Sequence, residues 1–279
     1  MTSLAIADIG VGIQTTFAIH PSITECWPYG DVACRLTGGL QFMLCGISIH
    51  SLWAISIERY LAINYPLRYP FYATTQRSYI CIALICTVNL AWVTLLVSRT
   101  DPSHYSYGEG VYVCLPQCNK PECAKFNATS STVFGIIPQT TMILIYSKIM
   151  YVSWKQNKVI AHRKKSTTNG NSCVFPDRSK LKRKFRSAKL ACMVTGASLI
   201  AWTPFVAWRI FASISSSPVT SELKFAFTWL GFSNSLWNFV MYSATSTAFR
   251  ESLKRIFMTV CSFEKHVCRT INFNKHVYW

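Results

Sequence analysis

Five stretches of this chain carry no Asp, Glu, Lys or Arg: residues 36–57, 78–98, 126–147, 190–208 and 225–249, of 22, 21, 22, 19 and 25 residues. A helix needs about 20 apolar residues to cross the hydrocarbon core of a bilayer. A sixth stretch, residues 1–24, holds a single charge, Asp8. A large soluble bundle could bury one or two such helices. Five within 279 residues point instead to an all-α integral membrane protein with six visible transmembrane helices.

Charge confirms the membrane and orients the chain. Only 14% of the residues are charged and 51% are hydrophobic, yet the formal net charge is +17. Segments 1–7, 58–77, 148–189 and 250–279 together hold 22 Lys/Arg and 4 Asp/Glu; segments 25–35, 99–125 and 209–224 hold 6 of each. By the positive-inside rule the basic side is cytoplasmic, and both termini then lie in the cytosol. The basic excess therefore reports topology and anionic lipid, not nucleic acid. Five of the twelve cysteines, Cys26, Cys34, Cys114, Cys118 and Cys123, fall on the outer, oxidising side. An odd number leaves their pairing open. One glycosylation triplet, Asn127-Ala128-Thr129, lies at the outer end of a span. No secretory signal peptide, Walker loop, zinc-protease helix or nucleophile elbow is present, and no enzyme activity is expected.

Several motifs punctuate the spans. The first opens Leu4-Ala5-Ile6-Ala7-Asp8, and the loop after it reads Trp27-Pro28-Tyr29-Gly30 before Cys34. The second span ends in Glu58-Arg59-Tyr60, followed by Leu61-Ala62-Ile63-Asn64-Tyr65-Pro66-Leu67. Trp92 lies in the third, Pro138 and Tyr146 in the fourth, and Trp202-Thr203-Pro204-Phe205 in the fifth. The sixth ends Asn234-Ser235-Leu236-Trp237-Asn238-Phe239-Val240-Met241-Tyr242, and Phe249-Arg250 then begins a short amphipathic stretch. In this order and spacing the residues resemble the rhodopsin-like (class A) G-protein-coupled receptors, from the family's second helix to its C-terminal tail. The segment Thr228-Trp229-Leu230 with Ser233-Asn234-Ser235 is similar to the seventh helix of a small group of vertebrate orphan receptors that couple to the stimulatory G protein.

The resemblance implies a seven-helix receptor bundle with a short amphipathic helix 8, the bundle occupying residues 1–257 and a cytoplasmic tail 258–279. The family's first helix has no counterpart: the Leu-Ala-x-Ala-Asp motif begins three residues after Met1. The expectation is a fragment or a misplaced start codon, with a genuine six-span product as the alternative. The implied function is transduction of an extracellular or membrane-derived signal to a heterotrimeric G protein, at the plasma membrane, as a multi-pass protein. A truncated, non-signalling product is a second reading. A transporter or channel is a third, disfavoured because only one charged residue is intramembrane.

Site by site, the resemblance implies a disulfide from Cys34 to the loop after the next span, with Cys114 the first candidate. It places Gln41, Cys45, Phe205, Arg209, Thr228 and Phe232 around a ligand pocket, with Trp202 as its floor; Arg209 is either a residue that attracts an anionic group or an interfacial side chain snorkelling to water. Gln41 stands where amine receptors of the family carry an Asp, so a simple amine is not the expected ligand. Asp8, Ser48, Asn234, Ser235 and Asn238 match positions that surround an allosteric sodium ion, with a hydrogen-bonded polar cluster holding water and no ion as the alternative; no other cofactor is expected. Glu58, Arg59, Tyr60, Tyr146, Trp202, Pro204 and Tyr242 match the activation switch. Arg59, Pro66, Leu67 and Lys184 match the G-protein contact. Lys184 replaces a carboxylate that restrains the switch arginine in many members, which predicts ligand-independent activity. Ser198 stands at a usual Phe, and Phe239 at a usual Pro, which predicts a straighter seventh helix. Cys261, just past the amphipathic stretch, is a candidate for palmitoylation or a plain cytosolic thiol.

Overall fold

The computed structural model describes residues 2–99, 105–108, 110–116, 125, 128–166, 178–215, 219–245, 247, 249–256 and 258–259. Asn127, Cys118, Cys123 and Cys261 lie outside the described residues, as does the side chain of Lys184. Two compact units are distinguished, Met1–Asn238 and Phe239–Trp279.

In hydrocarbon no water can satisfy a peptide group, so each uncharged run folds as helix. In the first unit α1 (Thr2–Thr16) and α2 (Ile19–Thr24) form one span, broken at Phe17 and Ala18. Pro21 explains the break, because it donates no backbone hydrogen bond and crowds the carbonyl four residues earlier. There the chain turns on shorter bonds, Phe17 N–H to Gln14 O (3.1 Å) and Ala18 N–H to Thr15 O (3.2 Å).

The long helix α3 (Gly30–Asn64) runs 35 residues. At 1.5 Å per residue it is about 50 Å long and outreaches the ~30 Å core. Its last turns, with Glu58 and Arg59, therefore emerge at the cytoplasmic face. A short helix α4 (Tyr69–Tyr72) follows, and then the third span, α5 (Thr75–Arg99).

The fourth span, Ala128–Val152, is helical from residue 128, widens into a π-helical turn at Thr132–Ile136 and continues as α6 (Ile137–Ser166). Pro138 again supplies the cause, since its ring would press on the carbonyl of Phe134 in a regular helix. The fifth span lies in α7 (Arg178–Ile214), with Pro204 inside it. Among the described residues five helices are thus long and apolar enough to span. The sixth run forms two 12-residue helices, α8 (Ser221–Phe232) and α9 (Asn234–Thr245), meeting at Ser233. The irregularity sits at Ser233, and α9 runs unbroken through Phe239, where the missing proline would have kinked it.

Between lipid-soluble helices there is little hydrophobic drive, so close packing and buried polar contacts hold the bundle. Small residues permit the closest approaches. A side chain at Gly46 of α3 would collide with the Asn89 amide of α5, and one at Gly231 of α8 would lie 3.0 Å from Trp202 Cζ3. Val11, Cys45, Ile49, Trp202 and Phe232 form one buried cluster, drawing on four of the spans. Nearer the cytosol, Ile145, Tyr146 and Ile149 gather Ile57, Tyr60 and Cys192 around them.

Outside the membrane an antiparallel hairpin, β1 (Tyr105–Tyr107) and β2 (Cys114–Pro116), pairs Tyr107 with Cys114. The Cys34–Cys114 disulfide pins it to the top of α3, with Cα atoms 5.4 Å apart, while Cys26 is a free, exposed thiol. In the second unit, Phe249 meets Phe239 (5.9 Å between ring centres) and Tyr242 (6.1 Å), and residues 249–256 are helical.

The bond closes a separation of 80 residues. Replacing Cys114 by Ser is expected to cost about 2–5 kcal/mol of stability, read as a lower thermal unfolding midpoint of the purified protein. A variant that unfolds at the wild-type temperature would show that the hairpin is held without the bond.

Candidate functional site

Three clusters lie along the bundle, and each is built from side chains of several helices. The innermost surrounds Asp8. A carboxylate inside a membrane is tolerated only with donors around it. Ser48 of α3 donates to Asp8 Oδ1 at 2.9 Å, and Asn238 of α9 donates to Oδ2 at 2.9 Å. Asn234 Nδ2 lies 3.5 Å from Ser48 Oγ, and Ser235 bonds the same carboxylate. All five residues anticipated here come together. The side-chain oxygens of Asn234 and Asn238 are buried without a hydrogen-bond donor among the described residues. One carboxylate, a hydroxyl and two spare amide oxygens form a hard-donor set that suits a sodium ion.

Above it, toward the outer side, a cavity of about 100 Å³ opens between α3, α6, α7 and α8. Gln41, Cys45, Trp202, Phe205, Arg209 and Phe232 all line it, as anticipated. Thr228 does not: it is fully buried, and its hydroxyl donates to Lys224 O at 2.8 Å. The wall also includes Phe42, Ser130, Ser131 and Phe134, which sequence reasoning missed. The serines precede the π-helical turn, and a regular helical register misplaces them.

Trp202 forms the floor, 6% exposed, edge-on to Phe205 with ring centres 5.7 Å apart. The hairpin forms the roof through Val113, Cys114 and Leu115. It is held there by the disulfide and by Trp229, whose indole N–H donates to Val111 O at 3.0 Å. No carboxylate lines this cavity among the described residues; Arg209 is its one formally charged wall residue.

The third cluster sits at the cytoplasmic end of α3. Arg59 Nη2 lies 3.4 Å from Glu58 Oε2, at the outer limit for a charge-assisted bond. A far shorter bond reaches Glu58 from Tyr69 of α4, whose hydroxyl donates to Oε1 at 2.6 Å. Burial first, and then this bond, raise the Tyr69 phenol above its ordinary pKa, so it stays a donor. Tyr69 was not anticipated; only the fold of the short loop helix brings it to Glu58. Tyr146, in contrast, was, and its hydroxyl accepts from Ser56 (3.2 Å) and Thr195 (3.3 Å), tying α3, α6 and α7 together. Tyr60 packs against it, and Pro204 lies within α7 two residues past Trp202. Tyr242 belongs to the second unit, against Phe249. Pro66 is exposed and Leu67 is 88% exposed, offering an aliphatic side chain to the cytosol.

A fourth group joins α3, α5 and the outer end of the fourth span. Asn89 lies 3.3 Å from the His50 ring, and the Trp92 indole donates to Ser130 Oγ at 3.1 Å.

Comparison with known proteins adds the relationship. Residues 1–242 match the family described as 7 transmembrane receptor (rhodopsin family). The chain is 30% identical over 277 residues to trace amine-associated receptor 13c of Danio rerio, covering 94% of this chain and 76% of that protein. It is 26% identical to the human (Homo sapiens) histamine H2 receptor, over 99% of this chain and 72% of the receptor. It is also 26% identical to trace amine-associated receptor 7d of Rattus norvegicus, over 92% and 71%.

Asn238→Ala removes one of the two short bonds to the Asp8 carboxylate. The expected loss is about 1–3 kcal/mol, seen as a reduced unfolding midpoint; an unchanged midpoint would mean that Ser48 and Ser235 suffice.

Proposed function

Because the chain belongs to the rhodopsin family of seven-transmembrane receptors, we propose that it activates a heterotrimeric G protein to a measurable degree without any ligand. Members of this family are multi-pass plasma-membrane receptors that signal through G proteins, and this chain is accordingly a receptor and not an enzyme. The observation that carries ligand-independent activity is how Glu58 is shared. Its shortest bond goes to Tyr69 at 2.6 Å, while Arg59 is held at only 3.4 Å. A carboxylate drawn toward a competing donor restrains its guanidinium less well. The second restraint common in the family is missing too, since Lys184 stands at that place and a cation cannot hold Arg59.

In the released state Arg59 reaches toward Tyr146 and the G protein. The G-protein surface also includes Pro66 and the exposed Leu67, which inserts as an apolar plug, and Lys184 at its border. Most of the charge of the 13 basic residues in 148–189 serves topology and anionic lipid of the inner leaflet, with residues 178–189 also bordering the G-protein site. The Asp8 cluster holds a sodium ion through Asp8, Ser48 and the amide oxygens of Asn234 and Asn238. That ion supplies a positive charge that steadies the carboxylate in the inactive state. The relatives are named for trace amines and histamine. Here the cavity has no carboxylate wall to pair with an ammonium among the described residues, and a simple amine is not the ligand.

Expressed in cells, the chain is expected to raise second messenger above mock-transfected cells with no ligand added. Tyr69→Phe returns Glu58 to Arg59 and should lower that output by about two- to tenfold, the equivalent of one hydrogen bond. Nucleotide exchange on purified stimulatory G protein is the measurement. A wild type indistinguishable from mock, or a Tyr69→Phe variant that signals more strongly, would overturn the reading.

A further inference from the structure

Resting on the reading of Glu58 above, we infer that a second cavity, beside α4, binds a single-chain amphiphile with an anionic head, and that its occupancy raises ligand-independent output. This cavity holds about 320 Å³ and lies between the start of α1, the inner half of α3, the short helix α4 and the start of α5. Small-molecule sites run from about 300 to 1,000 Å³, so the space suits one chain and not the two of a phospholipid. The body of the wall is aliphatic: α3 supplies Ala54, Ile55 and Leu61, and α5 supplies Ile82 and Ile85. On the α1 side Ser3 and Ser51 bond to one another at 3.3 Å, which satisfies their hydroxyls. Tyr72, Arg77, Ser78 and Cys81 are all exposed, so the cavity opens on the α4–α5 side, at the cytoplasmic ends of the spans. Apolar surface held against water there is unfavourable, and a hydrocarbon chain removes it.

Arg77 sets the sign of the head. Its Nη1 donates to Phe71 O at 2.9 Å, and its guanidinium lies 6.0 Å from the centre of the Tyr72 ring. These contacts orient the group and leave Nε and Nη2 as donors, with no carboxylate paired to Arg77 among the described residues. Glu58 is the other charged residue of the wall, and it already accepts from Tyr69 and pairs with Arg59. A carboxylate arriving at the mouth meets a planar fork with donors to spare. An ammonium there meets repulsion.

Occupancy bears on the switch through Tyr69. The helix α4 has four residues, and none of them is buried. One helical turn without packing does not persist, because nucleation is unfavourable. Its hold on Glu58 therefore depends on what lies beneath it. Tyr69 and Tyr72 both line the cavity, so a chain seated there gives α4 the apolar contact it lacks and keeps the Tyr69 hydroxyl on Glu58. The population in which Arg59 is released grows accordingly.

Two thiols of α5 report on the site. Cys81 lines the cavity, whereas Cys86, on the same helix, is exposed outside it. The full chain is placed in phosphatidylcholine nanodiscs at about pH 8, where a carboxylic acid is ionised and thiols react. Labelling of each cysteine by N-ethylmaleimide is followed by peptide mass spectrometry, with decanoate, decanol or decylamine added. Decanoate at roughly ten times its Kd is expected to slow labelling of Cys81 about tenfold and to leave Cys86 unchanged. Decanol and decylamine should slow Cys81 by less than half as much. Arg77→Gln should abolish the protection, and Arg77→Lys should restore part of it. Each variant's unfolding midpoint shows whether it folds, and the comparison of amphiphiles on the wild type needs no variant. With purified stimulatory G protein, decanoate should raise ligand-free nucleotide exchange about two- to fivefold. In Tyr69→Phe that rise should vanish while Cys81 stays protected.

Equal protection by decanol or decylamine, equal slowing at Cys86, protection that survives Arg77→Gln, or no protection would overturn the site. Phosphatidylglycerol that protects Cys81 without decanoate would make the occupant a bilayer lipid and overturn the single-chain class. Protection of Cys81 with no change in exchange would overturn the regulation. A wild type without ligand-free exchange would sink the reading of Glu58 instead, and Cys81 protection, which needs no signalling, still decides the site.

Discussion

A carboxylate in the middle of a membrane is the constraint around which this bundle is organised. Asp8 cannot be left to hydrocarbon, so α1, α3 and the start of α9 must bring Ser48, Ser235 and Asn238 to it. That requirement fixes the rotation and height of three helices at once. Apolar packing could not do so, because a lipid tail is as good a neighbour as a leucine side chain. Above this level Trp202 rests on Gly231, and below it Tyr146 gathers the polar tips of Ser56 and Thr195. Both positions inherit the register that the carboxylate sets.

Much of this was legible in the sequence because membrane folding is written in charge. Uncharged runs locate spans, and basic loops orient them. The residues around Asp8 and most of the cavity wall follow once helical periodicity is laid over family positions. What escaped detection depends on irregular backbone. Ser130 and Ser131 precede a π-helical turn that shifts the helical register. Tyr69 reaches Glu58 only because the loop after α3 coils into a short helix. Thr228 was placed in the pocket by its helical position, yet its hydroxyl turns back to its own helix. Ser233, not Phe239, is where the last span breaks, and no residue pattern marked it.

The chain also separates scaffold from ligand. About a quarter to a third of its residues are identical to those of receptors named for amines, across most of their length. In this chain Gln41 contributes an amide to the cavity, and no carboxylate lines the wall among the described residues. A fold can keep its output while its input changes, because the two ends are built from different residues.

The π-helical turn at Thr132–Ile136 has a consequence of a different kind. A wide turn holds one residue more than a regular one, which offsets everything on its outer side by about 100° of rotation. Such a turn is a reversible insertion. Deleting one residue within it, together with replacing Pro138, whose ring the wide turn accommodates, would restore regular pitch and leave the inner half of α6 in place. The outer half would then swing a different set of side chains into the cavity. This helix therefore carries a built-in route for changing ligand preference by a change in length, independent of any substitution at the wall itself.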